Sequence, residues 1–118
     1  MEREIKFRCW NEWADRNEMV CFTLDTAMIF ENCTTNAKVM EYTGLKDIYN
    51  KEIYEGDILN VDKNYSGSYT PTYVLFYKGT FMVQVVHKMN APFPLADNVG
   101  TYEIIGNKYE NAELLEEK

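Results

Sequence analysis

The chain is short of the residues and runs from which common sites are assembled. Its 118 residues include one histidine, three cysteines and three prolines. The single histidine, His87, excludes a histidine-rich metal centre. Cys9, Cys21 and Cys33 are spaced by twelve with no C-x-x-C pair, so they match neither a zinc site nor the even-numbered framework of a disulfide-stapled secreted domain. Buried reduced thiols are the expected state, although a Cys–His pair meeting in space would leave no local signature. No apolar run approaches the roughly 18–20 residues that a membrane-spanning helix needs. The opening, MEREIKFRCW, is charged and alternating where a secretion signal would be basic and then apolar. Phosphate-cradling G-x-x-x-x-G-K, dinucleotide G-x-G-x-x-G and nucleophilic G-x-S-x-G patterns are all missing.

Positive charge is scarce as well. Nineteen acidic residues face twelve basic ones, for a net charge of −7. The excess runs through both halves, with seven basic and twelve acidic residues up to Leu59 and five and seven after it. A nucleic-acid binder or a protein held on anionic lipid usually carries a basic footprint, and this chain has none overall. With 46% hydrophobic and 14% aromatic residues it can still bury a core, and its length suits a single domain. The composition points to a cytoplasmic protein with no cofactor and no membrane partner.

Period-two alternation dominates the hydrophobic pattern. EIKFRCW sets Ile5, Phe7 and Cys9 on one face and Lys6, Arg8 and Trp10 on the other, and MVCFTL aligns Val20, Phe22 and Leu24. DTAMIFEN is ambiguous between strand and helical turn; AKVMEY resumes strand character. Residues 41–57 read as a turn-rich joint with Gly44 and Gly56 setting bends, and DILNV then starts a strand. YVLFY and FMVQVV, joined by KGT, form the clearest hairpin. A long loop containing Pro92 and Pro94 precedes the strand TYEIIG, and ENAELLEEK reads as a short terminal helix with Asn111 as N-cap. The expected fold is mainly β: a small antiparallel β-barrel-like domain with an N-terminal strand pair (1–40), the joint (41–57), and a barrel-like part with a C-terminal helix (58–118).

Glu55-Gly56-Asp57 could hold a divalent cation or act as an acid/base pair. A plainer role is a bend at Gly56, with Asp57 accepting backbone N–H groups as it enters a strand. Lys6, Arg8 and Trp10 could stack on a base and contact phosphate, or form a solvated face beside acidic neighbours. Tyr65, Tyr69, Tyr73 and Tyr77 are spaced by four, but Pro71 and the Ser-Gly segment argue against a helix; exposed tyrosines such as Tyr65 and Tyr69 would suit a protein contact surface.

Three blocks together resemble the YopX-like family: REIKFRCW at 3–10, MEYTGLKDIYNKEIYEGDIL at 40–59 and YEIIGNKYENAELL at 102–115. The family pattern runs I-K-F-R-x-W, then Y-T-G-L-x-D with K-x-I-Y-E-G-D-I, then I-G-N-x-Y-E-N-P-E-L-L. The departures are small: Glu41 for a common glutamine, Asn50 where the turn often has glycine, and Ala112 for a proline. Asparagine still visits the left-handed region, so the turn at Asn50 survives. The resemblance implies a mainly β fold and a phage or prophage context. It carries over no catalytic or ligand-binding residue. The reading that follows is a non-enzymatic accessory module binding a phage or host protein, with homo-oligomerisation as a further option. The alternatives are a nucleic-acid module using Lys6, Arg8 and Trp10, and a metal-dependent enzyme using Glu55 and Asp57.

Overall fold

The alternating segment at the start forms β1 (Lys6–Glu12), which pairs antiparallel with β2 (Asn17–Thr23) in the register Phe7↔Phe22 and Cys9↔Val20. In this computed structural model, residues 5–23, 37–61, 71–85, 91–98 and 101–115 are described. The turn between β1 and β2 is closed by the Trp13 N–H donating to the Arg16 carbonyl at 2.8 Å. β3 (Lys38–Lys46) lies on the other side of β1, and β4 (Glu52–Tyr54) completes a sheet ordered β2-β1-β3-β4.

β3 continues through Gly44 to Lys46, past the break expected at Thr43-Gly44, and its pairing with β4 shifts register between Tyr42 and Lys46. Gly44 has φ +88 and open space around it, so conformation and not crowding favours glycine there. The segment expected to be a turn-rich joint is thus a second hairpin in part: strand, tight turn at 47–50, strand.

β5 (Asp57–Val61), β6 (Pro71–Tyr77), β7 (Thr80–Val85), β8 (Phe93–Pro94) and β9 (Tyr102–Asn107) form the barrel-like part, an antiparallel sheet ordered β8-β7-β6-β5-β9. The β6–β7 hairpin turns on Lys78 (φ 51) and Gly79 (φ 84), the pair of left-handed residues whose twist matches that of the flanking strands. Ile53, Leu59, Val74, Val83, Leu95 and Tyr102 form the core, with Leu45, Phe81, Phe93 and Ile104 packed against it. Ile53 comes from β4, so the joint supplies part of the core of the second sheet. Leu95 sits in a 3-10 turn (Leu95–Asn98) inside the segment expected to be a plain loop.

The terminal helix is a 3-10 turn (Ala112–Leu115). The Asn111 side chain reaches back to accept the Asn107 N–H at 3.1 Å instead of capping that turn. DTAMIFEN, Tyr65, Tyr69 and His87 lie outside the described residues. No helix among the described residues is long and apolar enough to cross a membrane.

Candidate functional site

The two sheets meet where Gly56-Asp57 enters β5. Gly56 has φ +87, and a Cβ there would stand 3.1 Å from the Met40 Sδ. Its N–H donates to the Val74 carbonyl at 2.8 Å and its carbonyl accepts the Lys108 N–H at 2.9 Å, so one glycine ties the joint to both β6 and the C-terminal segment. Asp57 is buried (1% exposed). Its Oδ1 lies 2.6 Å from Arg8 Nη2, and its Oδ2 accepts the Tyr54 N–H at 2.8 Å. The Arg8 guanidinium lies 4.7 Å from the centroid of the Tyr54 ring, over which it stacks.

Burial pushes the Asp57 carboxyl above its ordinary value; Arg8 and the Tyr54 N–H oppose that rise, and the Asp47 charge adds to it. The Tyr54 hydroxyl is pushed well above the usual phenol range, first by burial and then by Cys21 and Glu52. Tyr54 and Glu52 are linked through the hydroxyl at 3.3 Å, while the other Glu52 oxygen takes Lys6.

A second buried carboxylate, Asp47, organises the 47–50 turn. Its Oδ1 accepts the N–H groups of Tyr49 and Lys51, both at 2.9 Å, and its Oδ2 accepts the Ile104 N–H of β9 at 3.1 Å. The Ile48 N–H donates to the Tyr102 carbonyl at 2.9 Å, so the turn covers the outer edge of β9. Asn50 has φ 66, the left-handed conformation its position in the turn demands. Past β9, Asn107 Oδ1 accepts the N–H groups of Tyr109 and Glu110, and its amide donates to Glu110 Oε2 at 2.6 Å. A Cβ on Gly106 would sit 2.5 Å from Asn111 Oδ1, so the glycine makes room for that side chain.

The expectation of an exposed face at Lys6, Arg8 and Trp10 is corrected. Arg8 and Trp10 are buried, Lys6 is half-buried, and Trp10 stacks on Tyr109 at 6.2 Å. The joint and the C-terminal segment cover that side of β1, and its cations are taken up by Glu52 and Asp57. The Glu55 and Asp57 carboxylates serve different partners, since Glu55 Oε1 accepts the Glu41 N–H at 3.2 Å. Cys9 is fully buried and disulfide-bonded, which corrects the reduced core thiol expected there; Cys21 is free and exposed. Of the two described tyrosines in the four-residue series, Tyr73 is half-buried and Tyr77 is exposed. Among the described residues, no three His, Cys, Asp or Glu side chains group so as to hold a metal ion.

Sequence reasoning passed over Asp47 and Asn107 as organising residues. The signal open to it was an Asp or Asn directly before a turn, the position from which a short polar side chain accepts N–H groups two to four residues on.

The fold and the sequence have counterparts. The family model described as "YopX protein" matches residues 8–116. The crystal structure of protein EF1440 from Enterococcus faecalis superposes with a TM-score of 0.60 at 24% sequence identity, covering 98% of this chain and all of that one. At that identity the likeness is one of fold. No curated protein matches the sequence significantly.

Proposed function

The chain belongs to the YopX protein family, and we propose that it is a non-enzymatic accessory module of phage or prophage origin that binds a phage or host protein in the bacterial cytoplasm. The observation that carries this reading is the internal use of its chemistry-bearing side chains. Asp57 is closed in by Arg8 and the Tyr54 N–H, Asp47 by three backbone N–H groups, and Glu55 by the Glu41 N–H. Carboxylates locked on amide and guanidinium donors are poor proton shuttles, because moving the proton would break the bonds that position them. With Arg8 and Trp10 buried, the face proposed for nucleic acid is also closed. What stays open to a partner is an acidic surface with scattered large apolar side chains, a composition suited to protein contact. Self-association is compatible with the same surface.

The test is a tagged pull-down from host lysate, with and without nuclease. A protein partner that survives nuclease supports the reading. Recovery of nucleic acid alone, with an affinity that falls steeply with salt, overturns it. The compartment has its own test, because disulfides are rare in a reducing cytoplasm. Alkylation of denatured protein taken straight from cells reads the state of the Cys9 disulfide: labelling of Cys9 without reductant supports the cytoplasm, with the bond closing only on later oxidation, and labelling only after reduction moves the protein to an oxidising compartment.

A further inference from the structure

The turn at 47–50 is tightly held, yet it presents large apolar side chains to solvent. Ile48 is 44% exposed and Tyr49 58%. Their backbone has little freedom: both Tyr49 and Lys51 donate to the buried Asp47 carboxylate, the Asp47 N–H donates to the Lys51 carbonyl at 2.8 Å, and Ile48 is tied to Tyr102. A contact made by such a turn carries little ordering cost.

The charges around it single out this patch. Lys6, Arg8 and Arg16 pair with carboxylates, and Lys78 and Lys108 lie over the rings of Tyr77 and Tyr109. Among the described residues, Lys38, Lys46 and Lys51 have neither kind of partner, and Lys46 and Lys51 bracket Ile48 and Tyr49, both lysines exposed. The neighbouring carboxylates are engaged elsewhere, Asp47 on backbone N–H groups and Glu52 on Lys6. A protein of net charge −7 therefore carries an apolar knob flanked by two uncommitted cations.

We propose that residues 46–51 form a docking surface for an acidic polypeptide segment that carries an aliphatic or aromatic anchor. The proposal rests on the reading of the protein as a binding module and names the surface and the chemistry of its partner. Ile48 and Tyr49 supply the desolvated contact, while Lys46 and Lys51 steer the acidic segment and set its register. Single-stranded nucleic acid fits less well, since Ile48 has no stacking face and two lysines neutralise only about two phosphates.

The experiment is selection of displayed random peptides on the immobilised protein. Anisotropy titration of the enriched peptides follows, against the wild type, Tyr49→Ser and the double charge reversal Lys46→Glu/Lys51→Glu. Enriched peptides should place Asp or Glu around Leu, Ile, Phe or Trp. Tyr49→Ser should weaken them at least about 10-fold, and the charge reversal should weaken binding most at low salt and invert its salt dependence, since repulsion replaces attraction. Both variants alter exposed side chains, so their melting curves should overlay the wild type. Basic or uncharged consensus peptides, no enrichment, equal affinity for all three proteins, or an oligonucleotide bound through the same residues would each overturn the proposal. A pull-down partner retained equally by the variants would overturn this surface alone and leave the protein-binding reading standing.

Discussion

Replacing either member of the Arg8–Asp57 pair tests whether this contact anchors the two sheets. The pair joins residues 49 positions apart, with Asp57 1% and Arg8 9% exposed and an Nη2–Oδ1 distance of 2.6 Å. Removing one partner of such a pair leaves a buried charge without compensation, at a cost of about 3–5 kcal/mol. Arg8→Met should pay that full amount, because the methionine keeps the aliphatic contact and deletes the charge. Asp57→Asn should cost less, about 2–3 kcal/mol, since its amide oxygen can still accept the Tyr54 N–H. Against a total stability of about 5–15 kcal/mol, the arginine change would lower the melting temperature by roughly 12–20 °C. The double variant should lose less than the sum of the singles, by at least about 1 kcal/mol.

Titration gives an independent readout. Because the folded Asp57 carboxyl is raised above its ordinary value of 3.8, the native state holds the proton in the window just above that value. The contribution of this group to stability is therefore greatest at acid pH and declines as pH rises through the folded value. Without Arg8 the carboxyl rises further, so the deficit of Arg8→Met should be largest at neutral pH and shrink on acidification. Urea denaturation from pH 7 down to about pH 4 measures all of this. Single losses below about 1 kcal/mol with no coupling would mean that the pair behaves like an exposed surface pair, and the anchoring argument would fail.

The other expectations concern the residues that hold the joint. Gly106→Ala should destabilise the fold by about 1–3 kcal/mol by driving a methyl into Asn111, and Asn111→Ala in the same chain should recover part of the loss in thermal melts. Asp47→Ala leaves the Tyr49, Lys51 and Ile104 amides without their acceptor; because these bonds are only part-buried, water can take over some of them, and the loss should be about 1–3 kcal/mol in all, with faster hydrogen exchange at those three amides as the direct readout. The Tyr54 hydroxyl is held protonated in the folded state above its ordinary value of 10.0, so its contribution is present below pH 10 and is lost as pH rises beyond it. Tyr54→Phe should lose less stability than the wild type between about pH 9 and 11, compared by chemical denaturation; equal slopes would remove Tyr54 from the account.

What the sequence made legible was local. Alternation located most of the strands, KGT marked the hairpin turn, and Gly44, Asn50 and Gly56 adopt the left-handed conformations that only a few residue types accept readily. Non-local facts escaped it. Alternation in KFRCW separates two faces of a strand, but it does not say what lies over each; both are covered, Cys9 and Asn11 on one and Arg8 and Trp10 on the other. Asp47 drew no reading from the sequence, because one of its partners, the Ile104 N–H, lies 57 residues away. The joint hid β4 because three residues are too few to show a period, although Ile53 within it belongs to the core.

The three sequence blocks behind the family resemblance are contiguous in space. Arg8 comes from the first, Gly56 and Asp57 from the second and Lys108 from the third, and hydrogen bonds link the first to the second and the second to the third. Each block is therefore constrained by another: a change at Gly56 disturbs Met40 and Lys108, and a change at Arg8 strands Asp57. Residues fixed by one another in this way specify an architecture, and their side chains are occupied in doing so. A binding activity has to come from what the frame holds in place without enclosing. Within the same blocks, Ile48 and Tyr49 meet that condition, because Asp47 fixes their backbone from inside while their side chains remain in solvent. The motif that builds the joint therefore also builds a rigid support for a small exposed surface, whose chemistry can differ between chains of the same fold without disturbing the buried contacts.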